Sequence, residues 1–262
     1  MKDFKIAQIV PVLHLEQIHH NHYHMCLAHL VMESKEYAEF YALMVDEGKY
    51  VLMDNGAAEG SQLSVEELIK MYETINPTEI VLPDTLNNCV DTLRKTLAFV
   101  HEYSNLPYRF MGVPQGKDFD EWCACVEVML REPRINSIGV SKFLNISTGR
   151  EDIRFHACAY IQKIAKELGR ERDIEIHLLG CDEGPYLVGE IQKLFPMVRG
   201  CDSAFAFIAT QAGVHIDEDT LRPEGEIDFI EGTVPWDELE ERMKEFENVT
   251  GVKNNKVGTA WR

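Results

Sequence analysis

The sequence has few basic residues, and this deficit argues against several classes of function. Its 262 residues include 26 Lys and Arg against 44 Asp and Glu, which gives a formal net charge of −18. A surface that binds phosphates is normally basic, because cations supply most of the affinity for a polyanion. The chain as a whole therefore repels nucleic acid, and a nucleic-acid substrate would require a local basic strip or a partner protein.

Six cationic residues are the candidates for such a strip. The last three belong to a cationic C-terminal tail, GVKNNKVGTAWR, which we otherwise expect to be an exposed solubilising end. The six are Lys142, Arg150, Arg154, Lys253, Lys256 and Arg262.

Long hydrophobic runs and paired cysteine motifs are also missing. Apolar runs extend over a few residues, so we expect no membrane span. The N-terminal MKDFKIAQIVPVLHLEQ contains Asp3 and Gln8, which argues against a signal peptide and for a cytoplasmic protein. Seven cysteines without a CxxC pair are typical of a reducing compartment with unpaired thiols.

Short apolar segments that end in Gly, Asp or Pro alternate with amphipathic segments of helix length. This alternation predicts parallel strands buried on both faces. Its spacing matches a TIM (β/α)8-type barrel, which has eight units in roughly 250 residues. No GxGxxG follows the first strand, which disfavours a dinucleotide-binding open sheet. We expect one domain over residues 1–262.

The predicted elements can be given by residue range. Seven strands are predicted at residues 4–13, 49–56, 78–84, 108–116, 136–144, 173–181 and 197–202. The eighth is placed at EIDFIEG, residues 226–232. Helices are predicted at residues 64–75, 88–103, 119–132, 150–169, 185–195 and 235–246, with a capping box from Ser64 to Glu67 and a helix stop at Gly169.

Polar residues cluster where the predicted strands end. Asp54, Asp84 and Asp202 each close a strand, and Gln115 follows another. In a barrel of this kind the strand ends share one mouth, which is where active sites lie. An Asp after a strand often caps the next helix, but three carboxylates and an amide on one rim indicate a functional site.

Six short motifs carry a resemblance to a known family. In order along the chain they are MDNGAAE (53–59), LPDT (82–85), GVPQG (112–116), SIGVSKF (137–143), HLLG (177–180) and GCDSAF (200–205). Their order and spacing resemble the tRNA-guanine transglycosylase superfamily of TIM barrels. The chain looks most like its small members without zinc, found in bacteria and phages, which insert 7-deazaguanines into DNA.

The resemblance implies a base-exchange reaction and a role for each matched residue. Guanine in nucleic acid, DNA more than tRNA, would be replaced by a preQ0-like 7-deazaguanine. Asp202 would be the nucleophile that forms a covalent sugar intermediate, and Asp54 would move the proton of the base. Asp84 and Gln115 would read the base edge. The other implied substrate-binding residues are Asn55, Gly56, Gly116, Gly139, Val140 and His177.

Two departures from the family bear on cofactor and substrate. The family's tRNA enzymes carry a CxCxxC zinc site after the nucleophile, whereas Cys123 and Cys125 lie earlier here and Val128 takes the third position. We therefore expect no metal and no other cofactor. The family's Pro-Thr-Arg after the nucleophile is Ser203-Ala204-Phe205-Ala206 here, which disfavours tRNA.

Two rival hypotheses come from other classes. His20, His22 and His24 alternate and would share one face of a strand. With Lys142, His177 and Asp202 they resemble the metal site of TIM-barrel amidohydrolases. The second rival is a purine-binding protein without catalysis, which would use Asp84 and Gln115 but would not need Asp202.

Overall fold

A computed structural model describes residues 4–58, 60, 63–144, 149–150, 152–181 and 184–252. Eight parallel strands form a nearly closed barrel, as predicted. The strands are β1 (Lys5–Gln8), β2 (Tyr23–Leu27), β3 (Tyr50–Asp54), β4 (Glu79–Val81), β5 (Arg109–Gly112), β6 (Ile135–Ser141), β7 (Glu175–Leu179) and β8 (Val198–Ser203). Ladder bonds run through the order β1-β8-β7-β6-β5-β4-β3-β2, and β1 lies beside β2.

Helices alternate with the strands and cover the outside of the barrel. In chain order they are α1 (Leu15–Ile18), α2 (Ala28–Glu33), α3 (Lys35–Asp46), α4 (Val65–Ile75), α5 (Cys89–Glu102), α6 (Phe119–Arg131), α7 (Ile153–Glu167), α8 (Pro185–Leu194), α9 (Phe205–Ala212) and α10 (Trp236–Thr250). A 3-10 turn (Val12–His14) follows β1. Over the described ranges no helix has both the length and the apolar character to cross a membrane.

Two helix boundaries confirm the predicted local signals. Ser64 accepts a hydrogen bond from the Glu67 backbone N–H, and the Glu67 carboxylate accepts one from the Ser64 N–H, so the capping box forms. Gly169 follows the end of α7 in the left-handed region at φ +69°. Glycine adopts that conformation without steric cost, which is why the chain turns there.

The prediction of the eighth strand was wrong. Residues 226–232 form turns and irregular backbone, and the missing strand is β2 near the N-terminus. The EIDFIEG segment alternates in polarity, but Phe229 and Ile227 pack toward the barrel mouth and the backbone pairs with no strand in the described part of the chain. The sequence analysis missed β2 because YHMCL does not end in Gly, Asp or Pro and lies within a histidine-rich stretch.

The core has two layers. The larger lies between the barrel and the helices and includes Trp122, Phe110 and Phe205. The smaller fills the barrel interior beneath the mouth and contains Ala7, Ile9, Tyr23, Met25, Leu52, Val81, Met111 and Val113. The barrel is therefore a packed body, as expected for eight strands, rather than a pore.

Ionic side chains fill the opposite end of the barrel, where the strands begin. Glu79 is completely buried and forms an ion pair with Arg199. Ser137 Oγ and Tyr50 Oη donate to Glu79 at 2.7 Å and 3.0 Å. Arg199 Nη1 and Arg109 Nη2 donate to Glu175 Oε2 at 3.1 Å and 2.8 Å. We call this set the barrel floor: Tyr50, Glu79, Arg109, Ser137, Glu175 and Arg199.

The floor keeps Glu79 ionised. Burial alone would raise the pKa of Glu79, but the Arg199 charge and the hydrogen bonds from Arg199 and Ser137 lower it below its usual value. A carboxylate whose pKa falls on folding stabilises the native state above the unfolded pKa. That contribution is lost as pH drops through the folded pKa.

We predict that Arg199→Met lowers the free energy of unfolding by about 3–5 kcal/mol, because removing one partner leaves a buried carboxylate unpaired. Glu79→Gln combined with Arg199→Met should recover part of the loss. Urea unfolding measures both. The matched control is Arg94→Met, which breaks the exposed pair with Asp91 and should cost less than about 1 kcal/mol. A loss from Arg199→Met as small as the control's would contradict a structural role for the floor.

Candidate functional site

A cavity of about 690 Å³ opens at the carboxyl ends of the strands. Four of the predicted polar residues, which come from β3, β8 and the loops after β4 and β5, line it together. They are Asp54, Asp84, Gln115 and Asp202. The prediction that these strand ends share one mouth is confirmed for this set.

Two amide side chains hold the Asp84 carboxylate. Asn55 Nδ2 donates to Asp84 Oδ1 at 2.8 Å, and Gln115 Nε2 donates to Asp84 Oδ2 at 2.7 Å. Gln115 Oε1 in turn accepts from the Asn87 N–H at 3.2 Å, which sets the orientation of the amide. Asp84 is therefore an oriented acceptor and does not serve as a helix cap, a role that Asn88 takes at α5.

Burial shapes the charge of Asp84. Desolvation raises the pKa of this carboxyl above its usual value, and the hydrogen bonds from Asn55 and Gln115 offset part of the rise. The direction is opposite to that of Glu79 in the floor. A ligand that brings further N–H donors would therefore stabilise the ionised form of this desolvated carboxylate.

The turn after β3 positions Asp54 and Asn55. Asp54 Oδ2 accepts from the Gly56 N–H at 2.9 Å, and Asn55 Oδ1 accepts from the Ala57 N–H at 2.8 Å. Gly56 lies at φ +77°, where a side chain would be strained. Asn55 Nδ2 also donates to the Leu82 carbonyl at 2.8 Å, which ties this turn to the strand end that carries Asp84.

Asp202 lies near the end of β8 and is held by the neighbouring strand. The Gly180 N–H lies 3.1 Å from both carboxylate oxygens, and His177 Nε2 lies 3.1 Å from Oδ1. Asp202 is 9% exposed, so its carboxylate can be reached from the cavity although hydrogen bonds hold it in place.

His177 is not at the cavity surface. It is completely buried and its Nδ1 lies 2.8 Å from the Tyr23 hydroxyl. The sequence analysis proposed His177 as a substrate-binding residue, whereas its described contacts are with Asp202 and Tyr23. Tyr23 was missed because it belongs to the unpredicted strand β2.

Three other predicted glycine and valine positions lie behind the cavity wall. A Cβ on Gly139 would come 2.7 Å from Leu179 Cδ1, so this glycine makes room inside the barrel. The Val140 side chain packs in the outer core, and its carbonyl accepts from Arg154 Nη2 at 2.8 Å. A Cβ on Gly116 would approach the Trp122 and Glu121 backbone at the start of α6.

Apolar residues complete the cavity, and sequence reasoning did not assign them to the site. They come from β1, β2 and the ends of β4, β5 and β7, and from the segment after α9, where Arg222 and Glu226 also face the cavity. The apolar set includes Ile9, Met25, Leu27, Val81, Val113, Leu179, Ile227 and Phe229. The residues at strand ends could have been found from that position, whereas Ile227 and Phe229 lie in the segment after α9 and carried no such signal.

The three described members of the predicted basic strip do not form a continuous basic surface. Arg154 is 1% exposed and donates to the carbonyls of Gly180 and Val140, so it is a structural residue. Arg150 is exposed and pairs with Asp152, while Lys142 lines the cavity. Lys253, Lys256 and Arg262 lie outside the described residues. Residues 213–235, which cross the mouth, carry seven acidic side chains and one arginine.

The histidines do not form the predicted metal-binding face. Of His20, His22 and His24, only His24 lies on a strand, at the end where β2 begins, and the cavity lies at the other end. Its Nε2 lies 2.9 Å from the Asn21 carbonyl, and burial lowers the pKa of His24 to about 4. In the described ranges, the one group with metal-like spacing is His215, Glu241 and Glu245, where Arg242 already contacts His215 and Glu245.

Comparison with known proteins adds little beyond the fold. No family model and no curated protein matches the chain. Among solved structures it is similar to RipC from Yersinia pestis, at 9% identity and a TM-score of 0.47, over 76% of this chain and 88% of that one. It is also similar to phosphoribosylanthranilate isomerase from Thermotoga maritima, at 10% identity and 0.48, over 95% and 100%. At this identity neither similarity carries over a function.

Proposed function

We propose that the protein is a base-exchange transglycosylase that replaces guanine with a 7-deazaguanine base in nucleic acid, DNA above tRNA, through a covalent Asp202–sugar intermediate. The observation that carries the proposal is the shared cavity of Asp54, Asp84, Gln115 and Asp202. The cavity offers an oriented acceptor for a base and a separate carboxylate for a sugar. The resemblance of the six motifs supports the same assignment.

Asp84 and Gln115 have the chemistry that a guanine edge requires. The ring N1–H and the exocyclic amino group of guanine are adjacent donors, and a carboxylate has about four lone-pair positions for them. Gln115 Nε2 donates one hydrogen to Asp84, and its second hydrogen can be donated to the carbonyl of the base. The apolar wall around Val113 and Leu179 suits the two faces of a planar ring.

The chemical step divides between two carboxylates. One oxygen of Asp202 forms a bond to the anomeric carbon as the bond from that carbon to the base nitrogen breaks, and the bonding pair leaves with the base. Protonated Asp54 gives its proton to the departing base. Ionised Asp54 then takes the proton of the incoming 7-deazaguanine, whose nitrogen displaces Asp202 from the sugar.

The charge around the mouth sets a condition on the nucleic-acid substrate. The acidic segment over residues 213–235 repels a phosphate backbone, whereas a base and its sugar are neutral. Exchange on free deoxyguanosine would need no phosphate contact. The assay therefore compares single-stranded DNA, RNA and free deoxyguanosine.

We predict that Asp202→Asn lowers the rate of exchange by orders of magnitude while base binding persists, because the amide keeps the shape but is not a nucleophile. Asp54→Asn should also slow exchange, since it cannot carry the proton. Incorporation of labelled guanine into the three substrates measures the rate, and mass spectrometry of trapped enzyme locates the adduct. Asp46→Asn, an exposed residue at the end of α3, is the matched control.

Three results would overturn parts of the proposal. An active Asp202→Asn enzyme, or an adduct on Asp54, would reverse the assigned roles. Absence of exchange on all three substrates, where a known transglycosylase works, would exclude the enzyme class. Base binding without exchange would instead favour a non-catalytic purine-binding protein.

We predict that base affinity falls on acidification at a pH above the usual Asp value of about 3.9. The reason is that the ionised Asp84 accepts the base donors and burial raises its pKa. Calorimetric titration with 7-cyano-7-deazaguanine measures the effect. Asp84→Ala should weaken binding by about 1–3 kcal/mol or more and abolish this pH dependence, while Asp54→Asn should retain it. Unchanged affinity in Asp84→Ala would remove Asp84 from the site.

A further inference from the structure

We infer that His177 and Tyr23 form a positioning relay, in which the His177 Nε2–H holds Oδ1 of Asp202 and leaves Oδ2 to attack the sugar. The inference rests on the proposed function for the role of Asp202. The hydrogen bonds that form the relay are observed independently of that function. Neither His177 nor Tyr23 touches the cavity in the described part of the chain, so both would act through Asp202.

The hydrogen bonds define one tautomer of His177. Asp202 Oδ1 is an acceptor, so the Nε2 at 3.1 Å from it must carry the hydrogen. Nδ1 of the neutral ring is then an acceptor, and the Tyr23 hydroxyl at 2.8 Å donates to it. Burial lowers the pKa of His177, and the Asp202 charge offsets part of this shift, so the ring is neutral at neutral pH. Burial also keeps the Tyr23 hydroxyl protonated, because it raises the pKa of Tyr23 far above its usual value.

The two oxygens of Asp202 are not equivalent. Both accept from the Gly180 N–H at 3.1 Å, and Oδ1 alone accepts from His177. The Gly180 carbonyl is held in turn by Arg154 Nη1 at 2.6 Å. Gly180 lies at φ +68°, and a Cβ there would come 2.7 Å from Lys142 Cδ, so a side chain at this turn would strain the backbone and displace Lys142. The less engaged oxygen, Oδ2, is the better nucleophile.

The outer end of the relay is anchored in the barrel floor. The Tyr23 ring stacks on Tyr50 at 5.2 Å between centroids, and the Arg199 guanidinium lies 6.0 Å from the Tyr23 ring and 5.3 Å from the Tyr50 ring. The charged groups that act on His177 are Asp202, Arg199 and Glu79. A side chain fixed at both ends cannot rotate, so the relay restricts Asp202 to one rotamer.

The relay also predicts a separation of kcat from KM. The carboxylate that His177 holds acts in the chemical step, whereas the proposed base contacts are made by Asp84 and Gln115. Loss of the His177 donor should therefore lower kcat and leave the KM for the base unchanged.

The test compares His177→Leu, His177→Gln and Tyr23→Phe in the exchange assay. We expect His177→Leu to lower kcat roughly ten- to hundredfold, the effect of one hydrogen bond to a charged group, with an unchanged KM for the base. His177→Gln retains an N–H donor and should restore much of the lost kcat. Tyr23→Phe keeps the stacked ring and should show a smaller change of the same sign. The control Asp46→Asn, which is exposed and remote from the relay, should leave kcat and KM unchanged.

A second measurement does not depend on activity. Ring nitrogen chemical shifts of His177 should show a protonated Nε2 and an acceptor Nδ1 in the wild type, and the Nδ1 signal should move in Tyr23→Phe. An Nδ1-protonated ring would overturn the relay. So would a His177→Leu enzyme with wild-type kcat. The expected nitrogen shifts in a protein that exchanges no base would leave the relay standing and reject the proposed function.

Discussion

The buried pair between Arg199 and Glu79 is the constraint on which the rest of the barrel depends. A charged side chain on the axis of a barrel has no water, so each must find its partner from another strand. The pair joins β8 to β4, and Glu175 and Tyr50 extend it to β7 and β3. These contacts fix where β3, β4, β7 and β8 begin relative to one another. They thereby also fix the relative positions of the strand ends at the mouth, including those that carry Asp54 and Asp202.

The two ends of the barrel shift the pKa of a buried carboxyl group in opposite directions. At the floor, cations and hydroxyl donors outweigh burial and lower the pKa of Glu79. At the mouth, two neutral amides do not outweigh burial and the pKa of Asp84 is raised. The protein's own cations and hydroxyl donors therefore keep Glu79 ionised. Asp84 still gains by accepting further donors, which is the physical condition for a carboxylate that binds a ligand rather than one that holds a fold.

Seven strands and four of the polar residues that line the cavity could be predicted, because apolar runs that end in Gly, Asp or Pro carry that information locally. The rest could not, for reasons that are specific. Strand β2 has no such ending, and its alternating neighbours His20 and His22 suggested a metal-binding face. The contact of His177 with Tyr23 joins residues 154 positions apart, and no spacing rule encodes it. Arg154 looked like a surface cation, although its guanidinium is buried against the carbonyls of two strand ends.

The segment between α9 and α10 explains how the barrel closes where β1 and β2 lack ladder bonds. The Val12 N–H donates to the Phe229 carbonyl at 2.8 Å, and the Val234 N–H donates to His14 Nε2 at 3.1 Å. The segment is thus tied to the connection that joins β1 to β2, and it turns Phe229 and Ile227 into the cavity. Its acidic residues are exposed to water, and one of them, Glu226, also faces the cavity. The segment therefore covers the gap between β1 and β2 with apolar contacts. Its negative charge repels polyanions at this edge of the mouth, so any affinity for a nucleic-acid strand must arise elsewhere.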